Sequence, residues 1–130
     1  KYLNNDIYLF LKDKNIKKWQ DILLLILWRI EFMRKVFKNN KNLNVWIIPL
    51  QYKKKIPNNK IINYDDINSG SCYTYSENNN GIITLWRKEE ILKVLIHEIM
   101  HSFKLDRKYV GNQEVYAEYC ALLLNIKTVL

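Results

Sequence analysis

Residues 91–101 read Ile-Leu-Lys-Val-Leu-Ile-His-Glu-Ile-Met-His, and this run constrains the fold more than any other part of the chain. Leu92, Leu95, Ile96, Ile99 and Phe103 follow the i, i+3, i+4, i+7 rhythm of a helix with one buried stripe. Glu90, Val94, His97 and His101 fall on a different stripe. His97 and His101 therefore stand one turn apart on one face, where their rings can converge on a single ion. Glu98 sits between them, beside the place where water on that ion would lie. Two neutral nitrogen ligands and a carboxylate able to take a proton from water are the parts of a hydrolytic zinc centre. Both histidines of the chain belong to this motif. The competing reading, an ordinary amphipathic helix, makes that spacing a coincidence.

A catalytic zinc normally takes three protein ligands and leaves a fourth position to water. There is no third histidine, and neither Cys72 nor Cys120 has ligand spacing to the motif. The remaining candidates are carboxylates. Residues 104–111 are polar and end in glycine, which predicts a loop. Asn112 is placed to cap a second helix over residues 113–124. Glu114 and Glu118 lie one turn apart on that helix. Ala117 and Ala121, on or near the same face, are small enough to let it approach the first helix closely. Spacing alone leaves either acid as the ligand.

The motif His97-Glu98-x-x-His101, followed by Glu114-Val115-Tyr116-Ala117-Glu118, resembles the gluzincins, the thermolysin-like zinc metallopeptidases. The second helix is also similar to that of small peptidases acting on bacterial and phage repressors. The resemblance covers residues 68–125. It implies a minimal zincin-like domain with one zinc ion per chain, held by His97, His101 and Glu114. Glu118 would then orient His97 from behind, and Glu98 would be the general base. The connection between the helices is shorter than in most gluzincins, which leaves open an exchange of roles between the two acids. The family also places an antiparallel edge strand beside the cleft, and residues 68–75 and 81–87 match that strand and the one leading into the metal helix. An extended peptide can add to such an edge, so Ser69, Gly70 and Ser71 are substrate-binding candidates, Gly70 allowing close backbone approach. Gluzincins stabilise the oxyanion with a downstream histidine or tyrosine. Here that role falls to Tyr109, with Arg107 and Tyr116 behind it. The implied activity is zinc-dependent hydrolysis of peptide bonds in a peptide or protein substrate. The alternative is a zinc-stabilised domain that binds an extended segment without cutting it.

Upstream, residues 16–38 predict a long helix, with Trp19, Ile22, Leu23, Ile26, Ile30, Phe32, Met33 and Phe37 at roughly helical spacing and no Gly or Pro. It is apolar on more than one face around residues 23–27, which predicts burial under a sheet. Residues 7–11 suit a short helix or a strand. Residues 43–50 read as a strand with Pro49 near its end. Residues 51–66, rich in lysine and asparagine, read as a long loop with a short strand at 60–64. Residues 67–75 and 81–87 read as two strands of a hairpin joined by a turn at 76–81. Glu89 and Glu90 fall in the first turn of the motif helix, the favourable end for acids. The expected architecture is α+β: a small mixed or antiparallel twisted sheet of three or four strands, a long backing helix, the motif helix and a C-terminal helix.

At 130 residues the chain suits a single domain. It starts at Lys1 and stops within a helical pattern, as a piece of a longer protein would. Its most apolar run, residues 21–28, is followed by Arg29 and Glu31, which argues against a membrane span, and it lacks the features of a signal peptide. The formal charge of +8 invites a nucleic-acid reading, which requires clustered Lys and Arg with interleaved aromatics. The excess of lysine, asparagine and isoleucine fits the bias of an AT-rich genome better, so a basic nucleic-acid domain is the least favoured function. Cys72 and Cys120 define no disulfide framework. Free thiols in a reducing, intracellular compartment are expected.

Overall fold

The structure is a computed structural model that describes residues 5–11, 16–40, 42–50, 69–73, 81–87, 90–108 and 111–129. Its elements run β1 (Asn5–Leu9), α1 (Ile16–Phe37), β2 (Leu43–Leu50), β3 (Gly70–Tyr73), β4 (Ile82–Arg87), α2 (Ile91–Ser102) and α3 (Gln113–Val129). The four strands form one mixed sheet in the order β1-β2-β4-β3. β1 and β2 are parallel, as are β2 and β4, whereas β3 runs antiparallel to β4. The fold is thus α+β with a small mixed sheet, as expected. A parallel pair cannot be closed by a hairpin, and α1 supplies the crossover between β1 and β2.

Alternation decides which strand residues face inward. Val45 and Ile47 of β2 and Ile83 and Leu85 of β4 are fully buried, and they are direct neighbours in register. Between them Trp46 and Thr84 turn to the other face, where Trp46 meets Tyr8 and Phe10 at ring-centroid distances of 5.6 Å. The β2–β4 register shifts between Ile47 and Leu50, where Pro49 has no N–H to give the ladder. Ile26, Ile30 and Met33 of α1 and Leu95, Ile96, Ile99 and Met100 of α2 close the core over the inward face. Each such side chain contributes about 1.5–3 kcal/mol on burial.

Three expectations need adjustment. α1 is not apolar-covered on several sides: Leu24, Leu25, Leu27 and Trp28 are exposed, because only one arc of the helix can meet the core. Trp28 stacks on Phe32 at 5.7 Å instead. Of the two forms open to residues 7–11, the structure has the strand, with β1 ending at Leu9. Glu90 is the N-cap of α2 and not part of its first turn. α3 runs past Leu124 to Val129. The loop expected at 51–66, its strand at 60–64 and Glu89 lie outside the described residues, and of the turn at 76–81 only Gly81 is described.

How α2 ends matters for the site. Lys104 takes φ +60°, its N–H bonds to the carbonyl of His101 (2.9 Å), and the N–H of Leu105 bonds to that of Met100 (3.0 Å). These two bonds make a Schellman cap. The cap reverses the chain directly after the motif. Among the described residues no helix is long and apolar enough to cross a membrane.

Candidate metal centre

The sheet aims α2. β4 ends at Arg87 and α2 begins at Ile91. β3, the antiparallel edge strand, presses on the same helix at Gly70. A Cβ there would stand 2.7 Å from Val94 Cγ1, 3.0 Å from the Thr84 carbonyl and 3.1 Å from Leu85 Cδ2. Glycine is therefore required at this crossing by helix–strand packing.

α3 lies against α2 through Ala117 and Ala121, both fully buried. The pairing is antiparallel: Lys93 meets Glu118, His97 meets Glu118 and Glu114, and His101 meets Glu114. His97 Nδ1 is 2.8 Å from Glu118 Oε2, and His101 Nδ1 is 2.5 Å from Asp106 Oδ2. An ionised carboxylate only accepts hydrogen bonds, so both Nδ1 atoms are the donors, which in a neutral ring leaves the lone pair on Nε2. Those two Nε2 atoms are 3.1 Å apart. Glu114 faces both, with Oε2 at 3.1 Å from His97 Nε2 and Oε1 at 3.2 Å from His101 Nε2. The two Nε2 atoms and the two Glu114 oxygens thus converge, and with neutral rings a cation among them would relieve the repulsion of these four electron-rich atoms.

Tetrahedral bonds of about 2.0–2.2 Å place ligand atoms about 3.3–3.6 Å apart. The His97, His101 and Glu114 donors lie slightly inside that spacing, and a small outward movement of side chains matches it. The group could hold a metal ion. Both histidines carry a carboxylate on their other nitrogen, the arrangement that fixes tautomer and ring orientation in metal sites. Cys72 and Cys120 are free thiols. Burial pushes the Cys72 thiol up to about 12, Glu98 and Asp106 add to that, and the Ser102 hydroxyl opposes it. Its thiolate, the form that binds metal, is therefore suppressed.

Glu98 is 7% exposed. Burial pushes its pKa up to about 7, His101 pulls it down, and the charges of Glu114 and Glu118 push it up. That places it in the range useful for proton transfer near neutrality. For Glu118, burial raises the pKa, but the hydrogen bond and charge of Lys93, and then those of His97, outweigh it and hold the carboxyl below its usual range.

His97, Glu98, His101, Glu114 and Glu118 are therefore brought together. Ser69 is buried and its hydroxyl donates to Glu90 Oε2 at 2.5 Å, while Ser71 is half-buried on β3. Tyr109 lies outside the described residues; Arg107 is exposed and Tyr116 half-buried. Two members of the cluster went unrecognised in the sequence. Asp106 follows His101 by five residues, a pairing that depends on the Schellman reversal. Lys93 precedes His97 by one turn, and its i, i+4 spacing was a readable signal. Comparison of the chain with protein-family models, with curated proteins and with solved structures finds no significant match.

Proposed function

We propose that the chain is a zinc-dependent metallopeptidase of the gluzincin type. The observation that carries the reading is the convergence of His97 Nε2, His101 Nε2 and the Glu114 carboxylate beside a buried glutamate with a raised pKa. Two imidazoles and one carboxylate suit a borderline-soft divalent ion, zinc above all. Such an ion supplies Lewis acidity, acidifying water and polarising a carbonyl. Glu98 accepts the proton that water gives up as its oxygen attacks the peptide carbonyl, and delivers that proton to the leaving amine. Glu118 and Asp106 hold the two imidazoles in the required tautomer. β3, the antiparallel strand at the edge of the described sheet and packed on α2, is where an extended substrate would add as a further strand, with Ser69 just before it and Gly70 and Ser71 at its start. Tyr109 is proposed as the oxyanion stabiliser on the gluzincin resemblance alone.

The test is elemental analysis of protein purified without chelator or histidine tag, joined to turnover of a mixed peptide substrate by parent and Glu98→Gln. One zinc per chain in both proteins is expected, with turnover falling about 10²–10⁴-fold in the variant. A parent without zinc after reconstitution would sink the metal centre. Zinc binding with no cleavage by the parent would leave a zinc-stabilised binding domain. Undiminished turnover by Glu98→Gln would remove Glu98 as the base.

A further inference from the structure

α3 presents two glutamates one turn apart to the same histidines, yet they are used differently. Glu114 points both oxygens at the Nε2 pair. Glu118 is tied at both oxygens, Oε2 to His97 Nδ1 at 2.8 Å and Oε1 to Lys93 Nζ at 2.5 Å. Packing between the helices supports the observed register: Ala117 and Ala121 are buried at the crossing, and a slide of α3 by one turn would put Ala121 in the place of Ala117 but Asn125 in that of Ala121. That slide would bring Glu118 to the Nε2 atoms and set Leu122 opposite Lys93. At the far end of α3, Asn125 Oδ1 accepts from Arg29 at 3.4 Å, a contact the slide would lose. The slide would also break the Lys93–Glu118 pair, which ties α3 to α2 beside the histidines. Fixing register is the best-attested use of a charged pair between helices.

We infer that Lys93 is a positioning residue that assigns the two glutamates their roles, holding Glu118 behind His97 and leaving Glu114 to the ion. The inference rests on the metal-centre reading above. Lys93 touches neither the proposed ligands nor a substrate; it acts through Glu118. With Lys93 neutralised, Glu118 is released to take the place of Glu114 when that residue is absent.

The experiment is a double-mutant cycle on zinc affinity, measured by competition with a chromophoric chelator on the full chain. Glu114→Ala alone is expected to weaken zinc binding by about 100-fold or more. In the Lys93→Met background the same change is expected to cost less than about 10-fold, and adding Glu118→Ala should abolish what binding remains. Lys93→Arg, which keeps the charge, should restore the full Glu114 penalty. With cobalt in place of zinc, the Lys93→Met, Glu114→Ala protein should keep the intense visible bands of a four-coordinate site. An equal Glu114 penalty in both backgrounds overturns the assignment. So does a loss of metal-free stability in Lys93→Met with the Glu114 penalty intact, which would make Lys93 a helix clamp only. Lys93→Gln replaces Lys93→Met if the latter does not fold. A parent chain that binds no zinc overturns the metal-centre reading itself, before any variant is made.

Discussion

Two polar clusters stand out among the described residues, one along the inner side of α1 and one between α2 and α3. Under α1, Arg29 and Arg34 are almost fully buried, and burial lowers both guanidinium pKa values. Arg34 donates to the Asn39 carbonyl at 3.1 Å and to Asn5 Oδ1, tying the end of α1 to β1. Arg29 reaches Asn125 Oδ1, and its Nε has no hydrogen-bond partner. The hydrogen bonds described for that cluster end on neutral acceptors, and the charge of Glu31 opposes the effect of burial on Arg34. The other has acceptors in excess: two Nε2 lone pairs and a carboxylate that face one another. Exposure separates their meaning. Arg29 is 4% exposed, so an ion from solvent cannot reach it, whereas the Glu114 side chain is 79% exposed. A sealed donor without an acceptor is a cost of architecture, but an open excess of acceptors is a place where a cation can bind.

The largest effect that tests this contrast is metal removal. At free zinc 1,000-fold above Kd the ion stabilises the folded state by about 4 kcal/mol, so chelation should lower the unfolding midpoint sharply. The same increment should survive Arg29→Met unchanged and vanish in His101→Ala. Equal increments in these two variants would erase the distinction between the clusters.

Next comes the pH dependence of the metal-free protein. The Glu98 pKa is about 7 in the folded protein, against an ordinary carboxyl value of 4.5. Below about 4.5 the group is protonated in both states and costs nothing. As pH rises toward 7 the unfolded chain ionises first and stability falls. Above 7 the penalty is complete, at about 3 kcal/mol from 1.36 kcal/mol per unit. Urea unfolding at pH 4.5 and pH 8 should show this loss in the parent relative to Glu98→Gln. Parallel profiles for the two proteins would place Glu98 in water and weaken its candidacy as a base.

The arginines give the next smaller effects. Arg34→Met removes the hydrogen bonds to the Asn39 carbonyl and Asn5 Oδ1 and should cost about 2 kcal/mol. Arg29→Met relieves an unpaired buried charge and should be neutral or stabilise by about 1 kcal/mol. Smallest is Lys104→Gly. A non-glycine residue in the left-handed region is strained, so this change should stabilise by up to about 1 kcal/mol, read as a shift in urea midpoint.

The parts legible in the sequence were those that repeat. The α2 stripe announced the motif helix, and alternation around Val45, Ile47, Ile83 and Leu85 announced the strands. α1 shows the limit of that method: two apolar arcs look alike in sequence, and only the position of the sheet decides that Ile26 is buried and Leu24 is not. Gly70 shows another. Its spacing suggested room for a substrate backbone, and the structure adds a neighbour, Val94, that fills the place of its missing side chain. Asp106 was hidden because the turn that returns it to His101 is made by Lys104 and not by glycine, so no local signal marks it. The different positions of Glu114 and Glu118 depend on the register of α3 against α2, which no property of α3 alone specifies.

The Schellman reversal at Lys104 also sets an order of assembly. His101 and Asp106 are joined by a closure of five residues, which costs little chain entropy and can form as α2 itself forms. Glu114 and Glu118 arrive only when a separate helix docks. The centre is thus built as a local half and a remote half, and the local half already presents two imidazoles. An ion caught there early would draw α3 into place, so a bound metal would act on folding speed as well as on the finished site.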